Sequence, residues 1–193
     1  LLGLAPVKCP EAVFDKVWGT VKGHPLTLSL ILAAVREGAT WDDILEDCDV
    51  IGDMEFGGRR LTDVLLERLR PSLTKELSVF AWSGLPVCDE DFLSFAIKPL
   101  GIRKLKGNSL TAPDRNRAVR LHDVVHASLD GSWCTKERSV ELEQLLDTYL
   151  VEASRGEGLD LWRNARVLLS KLEDMVARGG PPPRGGTPHA QPA

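Results

Sequence analysis

The stretch "RAVRLHDVVHASL", residues 117 to 129, sets two histidines four residues apart, with an aspartate directly after the first. On a helix, His122 and His126 would share one face, and two imidazoles at that spacing can reach one zinc ion. "HDVVH" differs by one residue from the zinc-binding pattern HExxH, and the difference falls on the general base. Aspartate is a methylene shorter than glutamate, so its carboxylate would sit back from a metal-bound water. A third protein ligand is also required. His24 lies far upstream and His189 sits in a Pro/Gly-rich tail, so no metal site is expected.

The same residues allow a second chemistry. In HD phosphohydrolases one His, a His-Asp pair and a later Asp converge on a metal inside a helical bundle, and His24, His122-Asp123 and Asp147 occur in that order. A hairpin-like stretch separates the first two, where that family has a compact run of helices. Nucleotide hydrolysis needs a phosphate loop, and "GIRKLKGNS" only mimics one. Asn108 stands where GxxxxGK[ST] has its lysine, and the segment is expected to be a hairpin turn. The chain is therefore not expected to be an enzyme by itself.

The elements that must position these residues are helical. With 43% apolar and 27% charged residues the chain has the composition of an ordinary globular protein, and a net charge of -4 argues against a wholly basic nucleic-acid binder. No apolar run approaches the roughly 20 residues that span a bilayer, so no membrane partner is expected. Cys9, Cys48, Cys88 and Cys134 include no CxxC pair, which fits a reducing compartment and a cytoplasmic location.

Pro10 opens a run in which Val13, Phe14, Val17, Trp18 and Val21 share a face, with Gly23 as C-cap. Pro25 starts "LTLSLILAAVRE", apolar on most sides and hence central to a bundle, stopped by Gly38. Thr40 and Asp43 form a capping box for a third helix that turns Trp41, Ile44 and Leu45 inward. "LTDVLLERL" is expected to end at Pro71, "SLTKELSVFAW" at Gly84 and "DEDFLSFAI" at Pro99. A hairpin with strands at Ile102 to Leu105 and Ala118 to Leu121 then completes three helices and a wing.

Two motifs in this frame carry a resemblance. "KGHPLTLSL" at Lys22 to Leu30 resembles the GxPLAL signature of NB-ARC and related STAND ATPases, and "RLHDVV" at Arg120 to Val125 resembles their MHD signature, with Leu121 for Met. His24 stands where an apolar residue is usual. The intervening helix pattern resembles the passage from their helical subdomain into their winged helix, and the likeness covers roughly residues 10 to 130.

The resemblance implies a two-state nucleotide switch in signalling or defence. Pro25 would pack near the adenine, Gly23 would permit close backbone approach, and His122 would contact the ADP phosphates, with Asp123 in support. An imidazole can donate a hydrogen bond to phosphate and release it when a domain rotates. ADP or ATP would be held mainly by an upstream P-loop domain, which would also supply magnesium. The chain is then expected to be a fragment, with a homo-oligomer forming on activation.

A different class of function rests on Arg103, Lys104, Lys106, Arg115, Arg117 and Arg120, which a basic wing could lay along phosphates. DNA binding is the alternative expectation. Against it, "DEDFLSFAI", taken as the base-reading helix, is led by acids.

The expected architecture is mainly α. A helical bundle spans 1–58, a winged-helix subdomain 59–131, a helical extension 132–178 and a disordered tail 179–193.

Overall fold

A computed structural model describes residues 8–52, 57–113 and 118–155, together with residues 173 and 177. The protein is mainly helical with one small three-stranded sheet. Apart from residues 173 and 177, the expected extension beyond residue 155 and the tail lie outside the described stretches.

Local chemistry sets the first three helices. Helix α1 (Glu11–Val21) ends as expected at a left-handed pair, Lys22 and Gly23. Helix α2 (Pro25–Arg36) takes Pro25 as its first residue and buries Leu28, Leu30, Ile31, Leu32 and Val35. In α3 (Trp41–Gly52) the capping box forms: the Thr40 N–H donates to Asp43 Oδ2 at 2.7 Å, and the Asp43 N–H donates to Thr40 Oγ1 at 3.2 Å. One expectation for α1 fails. Val13, Val17 and Val21 are buried, whereas Phe14 and Trp18 stack on the surface at 6.0 Å and are 41% and 50% exposed. A 100° step separates the two i,i+4 rows, and only the valine row faces α3 and α4.

The expected break at Pro71 is absent. Helix α4 (Gly57–Ser83) runs unbroken through it for 27 residues, about 40 Å. Proline removes the N–H that would bond the Glu67 carbonyl. Side-chain donors nearby reach other carbonyls of the helix, Ser72 Oγ to Leu69 O, Thr74 Oγ1 to Arg70 O and Lys104 Nζ to Ser72 O, and leave Glu67 O to itself. The fully buried row Leu65, Leu69, Leu73, Leu77 and Phe80 crosses the proline, and burial at roughly 1.5–3 kcal/mol per side chain outweighs its cost of about 3 kcal/mol.

Beyond α4 come β1 (Val87–Asp89), α5 (Glu90–Gly107), β2 (Thr111–Ala112), β3 (Ala118–Leu121), α6 (Asp123–Ala127), a 3-10 turn (Gly131–Trp133) and α7 (Lys136–Arg155). The sheet is antiparallel in the order β1-β3-β2, with Cys88 opposite Val119 and Thr111 opposite Leu121. Helix, strand, two helices, then a hairpin is the winged-helix order.

Two assignments inside that unit change. Residues 99–107 are the second arm of α5, bent from 90–97 at Lys98 (φ 65°, ψ 160°), so Ile102 to Leu105 is helix and not strand. Pro99 presets the first helical turn, and Ile102 and Leu105, three apart, both face the core. Gly107-Asn108 therefore ends a helix instead of turning a hairpin, and the paired strands are Thr111–Ala112 and Ala118–Leu121. Consequently the third helix of the wing unit is 99–107, not the acid-led "DEDFLSFAI".

One continuous cluster of buried side chains runs from Val13 to Tyr149, with α4 packed against α2 and α3 as well as α5, α6 and α7. Among the described residues no helix is long and apolar enough to cross a membrane.

Candidate functional site

The turn at Gly23 to Pro25 is built for a tight reversal between α1 and α2. Gly23 has φ 75°, and a Cβ there would stand 3.0 Å from the Trp18 ring. Both facts favour glycine here, since a larger residue would be strained and would have to displace the Trp18 ring. His24 is the N-cap of α2: its Nδ1 accepts from the Thr27 N–H at 3.4 Å and lies 3.2 Å from Thr27 Oγ1. That bond makes Nδ1 the unprotonated nitrogen. Pro25 follows with its ring exposed.

The Leu121 to Asp123 turn joins β3 to α6. Leu121 is fully buried, which suits leucine in place of methionine. Its N–H donates to Pro86 O at 2.9 Å, and the His122 N–H donates to Leu110 O at 3.0 Å. The His122 carbonyl accepts from the His126 N–H at 2.9 Å. The backbone is thus held on both sides, while the half-buried imidazole makes no hydrogen bond to any described residue. Asp123 does not hold that ring: its carboxylate pairs with Arg120 at 3.0 Å and sits in the first turn of α6, where negative charge favours the helix.

Five residues are too few for α6 to persist alone. Val125 anchors it in the core, and the turn after it is gripped from α4. Arg70 Nη2 donates to Ser132 O at 2.6 Å and Ser132 Oγ at 2.7 Å, its guanidinium carbon lies 4.7 Å from the Trp133 ring centroid, and Nη1 reaches both Glu67 oxygens at 3.0 Å. Asp130 caps the turn by accepting from the Ser132 N–H at 2.8 Å and from its hydroxyl, which hold the carboxyl below its usual range. None of Arg70, Asp130, Ser132 and Trp133 was expected at the site. "DGSW" is a readable turn signature, with Asp two residues before the N–H it accepts from; the partnership with Arg70 has no local signal.

The basic residues are dispersed and largely engaged. Lys104 Nζ donates to the Ser72 carbonyl, Lys106 pairs with Glu90 at 3.1 Å and Arg120 with Asp123. Arg103 is exposed with no partner among the described residues. Arg115 and Arg117 lie outside them. A depression of about 320 Å³ beneath the wing is lined by Glu90, Lys106, Thr111, Pro113 and Val119, and by neither Pro25 nor His122.

His126 lies in the last turn of α6, half-buried. No group of three or more His, Cys, Asp or Glu among the described residues is arranged to hold a metal. None of the four cysteines forms a disulfide among the described residues; burial pushes the Cys48 thiol up to about 11 and raises that of Cys88, so neither is a nucleophile near neutral pH. No family model, curated protein or solved structure matches the chain.

Proposed function

We propose that this chain is the regulatory portion of a STAND-type nucleotide switch, gating a signalling or defence response in the cytoplasm. His122 and Pro25 would be presented to ADP held mainly by a P-loop domain. One observation carries the reading: His122 has a backbone held on both sides and an imidazole with no hydrogen-bond partner among the described residues. A ring so placed can donate to a phosphate without first breaking an internal bond, which is what a reversible contact needs. The exposed Pro25 ring, preset by the Gly23 turn, supplies an apolar surface for a purine edge. No step of hydrolysis is assigned to these residues, and the switch would act by domain rotation, with oligomer formation on release.

The test uses the full protein that carries this chain. A hydrogen bond to a charged group is worth about 1.5–3 kcal/mol, so His122→Ala should weaken ADP about 10- to 100-fold. Unchanged ADP affinity in both His122→Ala and Pro25→Ala would end the proposal.

One observation favours a second reading. The third helix of the wing unit, 99–107, carries Arg103, Lys104 and Lys106 and no acid, which removes the earlier argument against DNA contact. Two of those three cations are engaged internally, so the switch is preferred. A duplex-shift assay discriminates: binding at low salt whose salt slope drops by about one on Arg103→Ala supports DNA contact, and no binding at low salt rejects it.

A further inference from the structure

Arg70 of α4 hydrogen-bonds the far end of the His122 segment. Leu110 O fixes one end of that segment through the His122 N–H. At the other end Arg70 engages the Ser132 carbonyl, the Ser132 hydroxyl and the Trp133 ring together. A planar fork suits this task, because two donors reach one residue while the flat face lies over an indole. Glu67 fixes the fork from one turn earlier on the same helix.

The location adds a second point. Arg70 directly precedes Pro71, whose missing N–H leaves the Glu67 carbonyl without its helical donor. The grip therefore sits where α4 lacks one helical rung, and it joins α4 to a segment 62 residues further on. Leu110 O and the Arg70 grip lie on either side of α6, and Val125 anchors it in the core between them.

We infer that Arg70 is a positioning residue and a latch: it sets where the His122 segment rests on α4, and its loss loosens the backbone of residues 126–134 while the core of α1 to α3 stays packed. The segment's own hydrogen bonds are short-range, from Ser128 N–H to Val125 O, Leu129 to His126, Trp133 to Asp130 and Cys134 to Gly131, so they survive or fray together once the grip is lost. The effect on nucleotide rests on the switch reading above. The latch itself does not.

Hydrogen exchange on the 193-residue chain tests it. In Arg70→Ala the amides of His126, Ser128, Leu129 and Trp133 should exchange about tenfold faster or more, with those of α2 unchanged, and the His122 ring proton resonances should shift. Arg70→Lys should resemble Arg70→Ala, since an ammonium keeps the charge and loses the fork. Ser132→Ala, a mild change on an exposed residue, should give about a two- to fivefold acceleration confined to the same amides. Three results overturn the latch: no acceleration, equal acceleration throughout α2, or full rescue by lysine. If the amides respond and ADP affinity in the full protein does not, the latch stands and the switch reading falls.

Discussion

His24 and His122 occupy the same local position, the residue before a helix, on nearly the same extended backbone: φ -62°, ψ 115° and φ -59°, ψ 138°. Their rings are used differently. His24 gives Nδ1 to the Thr27 N–H and becomes part of α2, whereas the His122 ring caps nothing. The cause lies in the helices that follow. Helix α2 has 12 residues apolar on most sides, so the core fixes its N-terminus and a local cap completes it. Helix α6 has five residues and borrows its placement from Leu110, Val125 and Arg70. A side chain is left available for an external ligand when neighbours do the positioning it would otherwise do itself.

The largest effect that can break this comparison comes from Trp133, 2% exposed beneath Arg70. Trp133→Ala should cost about 3–5 kcal/mol in urea unfolding, as large-to-small core changes do. Native-state exchange should show the loss first at His126 to Cys134. If amides of α2 open equally, the His122 turn has no separate support, and the distinction between the two turns disappears.

A smaller effect separates the histidines directly. His24→Ala removes an N-cap, and because its bond is long at 3.4 Å the cost should fall near the low end of the usual range, about 0.5–1 kcal/mol. His122→Ala removes no internal hydrogen bond among the described residues and should stay within about 0.5 kcal/mol of the parent. Chemical denaturation of both variants checks the order, and the reverse order would mean that His122 is structural.

How far each turn can be read from the residues alone follows the same division. Pro25 at a helix start, Gly23 beyond a helix end and the Thr40–Asp43 box are chemistry between residues at most four apart, and each appears where expected. Pro71 misleads because the buried leucine row that carries the helix across it comes from packing that a breaker rule ignores. The helix 99–107 is missed because Gly107-Asn108 and Pro113 carry turn chemistry compatible with either a helix end or a hairpin, and only the burial of Ile102 with Leu105 decides. For the candidate site, position 122 comes from a motif of adjacent residues. Its supports at Arg70 and Trp133 are joined by contacts across 62 and 63 positions, invisible to any window.

The smallest effect is a pH dependence confined to the His122 side. Asp130 accepts from the Ser132 hydroxyl and N–H, and these bonds lower its pKa in the folded protein. A carboxyl whose folded value lies below its unfolded one stabilises the fold fully above the unfolded value, about 3.9, and the contribution disappears as pH falls through the folded value. Acidification below about 4 should therefore loosen the Gly131–Trp133 turn, seen as faster exchange at the Ser132 amide after correction for intrinsic rates. The His24 turn has no carboxylate cap and therefore no carboxyl bond to lose over that window. Asp130→Asn keeps an oxygen acceptor without a proton to gain, and should hold the turn through the same acidification. Parallel profiles for the parent and Asp130→Asn would show that the turn is held by Arg70 and the Trp133 packing alone, which would shift the whole support of His122 onto α4.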